Sequence, residues 1–132
     1  RPDPIQNELK REYQPSNPLD IRAAFLFAGL FVGVSVAAKL AIEYIGHAGV
    51  FGLAALSGLT DVDPFILSMT ESAGLTTPLL VAVVSILIAA SSNNLMKGIY
   101  AYKFADTATG KKSLGLLIGL TIAGLLPLMW LR

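Results

Sequence analysis

Four apolar stretches, set apart by polar punctuation, organise this chain. Residues 23–38, 72–96 and 113–131 contain no Asp, Glu, Lys, Arg or His, and 48–60 is a shorter stretch of the same kind. A helix needs about 20 apolar residues to cross roughly 30 Å of hydrocarbon. Two of the stretches, 72–96 and 113–131, meet that length directly, and 23–38 does so once extended to Ile45. The pattern predicts full spans over Pro18–Ile45, Thr77–Tyr102 and Lys112–Leu131. The expected fold is all-α: a polytopic transmembrane helix bundle of three full spans plus one broken or re-entrant segment, occupying 18–132. Residues 1–17 are polar and carry Pro2, Pro4 and Pro15. They read as a surface linker, with Asn17-Pro18 as the start of the first helix.

The odd segment is 48–73. It begins as an apolar helix, Ala48–Ser57, is interrupted by Gly58-Leu59-Thr60-Asp61-Val62-Asp63-Pro64, and resumes as Phe65–Ser72. The residue before a proline is pushed out of helical geometry. Pro64 suits the first turn of a new helix with Asp63 as its N-cap. Each piece is about ten residues, or roughly 15 Å, half a bilayer. The segment is therefore either one broken crossing or a re-entrant hairpin. Basic residues lie in the N-terminal arm (Arg1, Lys10, Arg11, Arg22) and in the 103–112 loop (Lys103, Lys111, Lys112). A hairpin places both groups on one side, which the positive-inside rule favours.

Composition agrees. The 132 residues are 54% hydrophobic and only 14% charged, against about 25% charged in soluble domains. A net charge of +1 gives no basic face for nucleic acid, and with no Cys neither disulfides nor thiolate sites can form. No phosphate-binding loop, dinucleotide glycine pattern or Ser-His-Asp set occurs, so the expectation is a protein that is not an enzyme.

The candidate chemistry lies in two polar levels. An Asp at mid-membrane costs about 2.5 to 3.5 kcal/mol, so Asp61 and Asp63 must face protein, water or an ion. An interrupted helix also frees carbonyls and amides that hold ions or polar substrates. Asp61 and Asp63, with Ser57 and Thr60, are candidates for a cation or proton site. Magnesium uses few carboxylates and keeps several waters, which makes the two aspartates the metal-ligating candidates, with Mg²⁺ or another cation as substrate. The bland alternative has Asp63 as a helix cap and Asp61 paired with Lys97. The second level is Ser91-Ser92-Asn93-Asn94 and Lys97. Four successive polar residues point all around a helix, so this turn must be buried or beside a cavity. Ser92, Asn93, Asn94 and Lys97 therefore join the candidate site, against interhelical bonding as the plain alternative. Gly29, Gly33 and Ala37, and Gly115, Gly119 and Ala123, place small residues four apart, a spacing that lets membrane helices approach closely. Lys39 either pairs with Glu43 or snorkels to the interface. Glu71 reads as solvated, and Trp130 as an interface anchor.

Leu53-Ala-Ala-Leu-Ser-Gly-Leu-Thr-Asp-Val-Asp63, followed by Leu67-Ser68, resembles the signature of an uncharacterised bacterial membrane domain. That domain stands at the C-terminus of many MgtC/SapB-family proteins. Asn17-Pro18-Leu19, Ser92-Asn93-Asn94-Leu95-Met96-Lys97 and the Gly-rich final span also fit its pattern. The resemblance implies a multi-pass protein of the bacterial inner membrane. It also implies a preceding, inverted structural repeat or MgtC-like domain as partner, with a homo-oligomer as the alternative, and a link to magnesium or other cation homeostasis. Two functions follow as expectations: half of an ion or small-solute transporter with a polar intramembrane site, or a non-transporting scaffold or regulatory subunit with a structural Asp61–Lys97 pair.

Overall fold

The computed structural model describes residues 20–131. The expected Asn17-Pro18 helix start and the arm before it lie outside these residues. The first helix, α1, spans Ile21–Tyr44, with the Asp20 side chain accepting the Arg22 N–H at 3.0 Å. Two half-length helices follow, α2 (His47–Ser57) and α3 (Asp63–Ser72), then α4 (Leu79–Phe104) and α5 (Thr107–Leu125). A short 3₁₀ turn over Leu126–Met129 closes the chain where Pro127 stops regular helix. The described residues form no strand.

The direction of each half-helix decides how the segment after α1 runs. At the α1–α2 turn, Gly46 sits at φ 87° and its N–H reaches the carbonyls of Ala41 and Ile42 at 3.0 and 3.1 Å. Few residues other than glycine adopt that backbone readily. The chain then doubles back, bringing Gly49 against Ala41 and Ile45. Further along, the carbonyls of Ala55 and Gly58 accept hydrogen bonds from Ser92 and Asn93 of α4. The path reverses again in α3. Ser68 meets Ser35 at 2.9 Å, and Ser72 and Thr77 share a cavity with Lys39. So α3 runs parallel to α1 and antiparallel to α2, and the two form a hairpin. Its base stands at the end of the bundle where α1 finishes and α4 begins. Three full-length helices then leave Arg22 at the same end as Lys103, Lys111 and Lys112, as the charge pattern predicts.

The hairpin supplies most of the core. Phe65, Met69, Val50 and Ala54 are buried with Ala38 of α1 and Ala82 and Ala89 of α4. Alanines on the two long helices let the bulkier hairpin residues fit between them. Deleting such buried side chains costs both lost contacts and a cavity. α5 packs along α4, closest where Gly98 faces Leu114 and where Gly110 meets the Ala101 and Tyr102 backbone.

α5 starts five residues before the expected Lys112. The Asp106 side chain accepts the Thr109 N–H at 3.2 Å and caps the helix there. Lys111 and Lys112 thus stand on the first turns of α5 rather than in a loop.

Ile21–Tyr44, Leu79–Phe104 and Thr107–Met129 are long and apolar enough to cross a membrane. Only 6%, 22% and 0% of their most apolar windows are buried within the chain. A fold that turns this much apolar surface outward is that of a membrane protein.

Candidate functional site

The hairpin tip, Gly58–Val62, is built by local backbone bonding. The Gly58 N–H reaches the Ala54 carbonyl at 3.2 Å, Leu59 N–H reaches Leu56 at 3.0 Å, and Thr60 N–H reaches Ser57 at 3.2 Å. The Thr60 hydroxyl also points to the Ser57 carbonyl, at 3.5 Å. Two side chains of α4 then hold the tip. Ser92 donates to the Ala55 carbonyl at 2.8 Å and Asn93 donates its amide to the Gly58 carbonyl at 3.2 Å. These are the carbonyls that the end of α2 leaves free of intrahelical partners. The approach is close because position 58 has no side chain: a Cβ there would lie 2.5 Å from the Ser92 Cβ and 2.7 Å from the Ala89 carbonyl oxygen.

Asn93 stands 14 residues from Leu79 and 11 from Phe104, roughly 21 and 16 Å along the helix. The tip is therefore at mid-length of a membrane-spanning helix. Asp61 and Asp63 follow within five residues and are both exposed. Asp61 Oδ1 accepts the Asp63 N–H at 3.0 Å, so its carboxylate serves the first amide of α3. The N-cap position of α3 is Val62, and Asp63 is the first helical residue, followed by Pro64. The capping role expected of Asp63 thus falls to Asp61.

The structure brings together Ser57, Gly58 and Thr60 of the tip with Ser92 and Asn93 of α4. Ser91, Ser92, Asn93 and Asn94 are all half-buried, which meets the requirement set by their pattern. Asn94 makes no part of the tip contact, and Lys97 is exposed one turn beyond Asn93. The Asp61–Lys97 pair is not formed: both side chains are exposed, and no ion pair within 4.0 Å joins them among the described residues. Asp61 is turned to the α3 backbone instead. The same holds for Lys39 and Glu43. No cluster of three or more His, Cys, Asp or Glu side chains suited to a metal occurs among the described residues. A cation at Asp61 and Asp63 would have to complete its shell with carbonyl or amide oxygens, water, or groups from another unit.

The small-residue stripes of α1 and α5 face outward. Nothing lies within 4 Å of a Cβ built on Gly29, Gly33, Gly115 or Gly119. Within the chain, the close approaches are made by Gly49, Gly58, Gly98 and Gly110 instead.

Sequence reasoning missed a second polar feature. A cavity of about 230 Å³ opens between α1, α3 and the turn before α4. Its wall carries Ser35, Lys39, Ser68, Glu71, Ser72 and Thr77, interrupted by Ala38, Met69 and Leu75. The available signal was the i, i+4 spacing of Ser35 with Lys39 and of Ser68 with Ser72. It could be read only once the two helices were known to be parallel neighbours.

Residues 2–105 match the family model described as a domain of unknown function, DUF4010, and the chain belongs to that family. An uncharacterized protein of Aquifex aeolicus (strain VF5) is 33% identical over 95 residues, covering 68% of this chain. The match spans 40% of that protein's length. No solved structure matches the chain. The MgtC/SapB connection rests on the sequence resemblance alone.

Proposed function

We propose that this chain is half of an ion or small-solute transporter of the bacterial inner membrane, with the hairpin tip as part of its polar intramembrane site. One observation carries the reading. The tip sets two exposed carboxylates, Asp61 and Asp63, at mid-length of α4, where hydrocarbon would surround them in an isolated unit. Ionisable residues at such depth face a cavity or a partner and are functional by default. Broken helices at the midplane are the usual place for coupling ions in transporters built from two units. The exposed small-residue stripes leave room for a second unit, either a preceding repeat in the same polypeptide or another copy. Magnesium or a proton is the expected cation, given oxygen donors only and the resemblance to a family linked with magnesium.

The test is flux in proteoliposomes holding the full-length protein, read with a Mg²⁺ dye and a pH dye. Asp61→Asn should abolish cation-dependent flux while insertion is retained. Wild-type flux from Asp61→Asn contradicts the reading and favours a scaffold.

A further inference from the structure

The cavity between α1 and α3 lies at the opposite end of the hairpin from Asp61 and Asp63, and the reading above gives it no role. We propose that it binds a small zwitterionic solute of the α-amino-acid class, with the carboxylate on Lys39 and the ammonium on Glu71. Both Lys39 and Glu71 line one cavity, Lys39 from α1 and Glu71 from α3. Yet no ion pair within 4.0 Å joins them among the described residues. Opposite charges that border one cavity without pairing are complementary to a ligand carrying both signs.

Other ligand classes fit less well. A free anion would gain Lys39 but meet Glu71. A metal cation would gain Glu71 but meet Lys39. A neutral sugar would satisfy the hydroxyls and use neither charge.

The rest of the wall sets size and orientation. At the inner end, Ser35 and Ser68 are joined at 2.9 Å, and the Ser35 hydroxyl also reaches the Phe31 carbonyl at 2.8 Å. That end is already satisfied and acts as a floor. Along the side, the Ser72 hydroxyl, which donates to the Met69 carbonyl at 3.3 Å, can accept from an ammonium, and Thr77 can accept from an ammonium or donate to a carboxylate. Ala38, Met69 and Leu75 offer an apolar patch for a short aliphatic side chain. The volume, about 230 Å³, is below the range of roughly 300–1,000 Å³ typical of drug-sized ligands. It leaves room for a solute the size of alanine or serine.

An ammonium paired with an acid is also the chemistry of an ethanolamine lipid headgroup, and the test separates the two sources. The full-length protein is placed in nanodiscs of phosphatidylglycerol. Saturation-transfer NMR is recorded with L-alanine, N-acetyl-L-alanine, L-alaninamide and glycerophosphoethanolamine. L-alanine is expected to bind, and each blocked analogue to bind at least tenfold more weakly. Lys39→Gln and Glu71→Gln should each weaken alanine binding at least tenfold, with melting temperatures close to wild type, and Lys39→Arg should retain it. Equal binding of the blocked analogues, or unchanged binding in both charge variants, overturns the proposal. Binding of glycerophosphoethanolamine without alanine assigns the cavity to lipid and also overturns it. Because binding is read without flux, the result stands apart from the transporter reading.

Discussion

Asn93 donates its side-chain amide to the Gly58 carbonyl at 3.2 Å, from the middle of a 26-residue helix to the tip of a hairpin. The adjacent Ser92 does the same for Ala55 at 2.8 Å. Two side chains that resemble substrate ligands in the sequence are thus occupied in fixing the hairpin. Their placement keeps Asp61 and Asp63 at the depth where a charge has consequences.

This docking predicts a sharp glycine dependence. Gly58→Ala puts a methyl group against Ser92 and the Ala89 carbonyl, and overpacking of this kind costs about 1–3 kcal/mol. Gly52→Ala in the same half-helix, where nothing lies within 4 Å, should be neutral or slightly stabilising. Asn93→Ala should cost about 0.6 kcal/mol, the mean for a polar contact between membrane helices. Unfolding in mixed micelles ranks the three variants.

The two aspartates should separate by role. Asp61→Asn keeps an oxygen acceptor for the Asp63 N–H, so α3 should remain folded. Asp61→Ala removes that acceptor and should cost about 1 kcal/mol. The Asp63 side chain is exposed and caps nothing, so Asp63→Asn should leave stability unchanged. A loss of flux in Asp63→Asn would then report on the site itself. Parallel flux and unfolding measurements on the three variants check this.

The α4–α5 corner should respond to acid. The Asp106 carboxyl is held below its ordinary value of 3.8 by hydrogen bonds from the Thr109 side chain and backbone N–H. A folded pKa below the unfolded one means that the cap's contribution is complete above the unfolded value. It is lost as pH falls through the folded value. Hydrogen exchange at the Thr109 amide should therefore lose protection below about pH 4, and Asp106→Asn should remove that pH dependence.

The outward glycine stripes predict a split between folding and assembly. Gly29→Leu and Gly33→Leu add side chains where no other element among the described residues lies within 4 Å of the new Cβ, so unfolding should change by less than about 0.5 kcal/mol. Assembly with the neighbouring unit should weaken, as read by cross-linking in membranes. Gly98→Leu, which faces Leu114 at 3.1 Å, should instead destabilise the α4–α5 pair.

The elements were legible because the apolar runs and the Asp-Val-Asp-Pro break are local signals. The re-entrant path was legible in the placement of Arg22, Lys103, Lys111 and Lys112. The α5 start is hidden in the sequence because Lys111 and Lys112 resemble loop residues, whereas the Asp106–Thr109 cap fixes the helix earlier. Gly29 and Gly33 stand out because they repeat at a helical spacing, although they make no close approach within this chain. Gly58 and Gly110 are single contacts with no period to betray them. The cavity joins Lys39 to Thr77, nearly forty positions apart, and only the fold creates it.

α2 and α3 form a re-entrant hairpin between full-length helices, which places the aspartates at mid-depth. This chain contains no Cys, so single probes at Arg22, Leu75 and Thr109, all exposed, can be labelled with a membrane-impermeant maleimide. Arg22→Cys and Thr109→Cys should label from one side of the membrane and Leu75→Cys from the other. Labelling of Thr109→Cys from the side opposite Arg22→Cys would mean that the segment crosses, and would contradict the re-entrant hairpin.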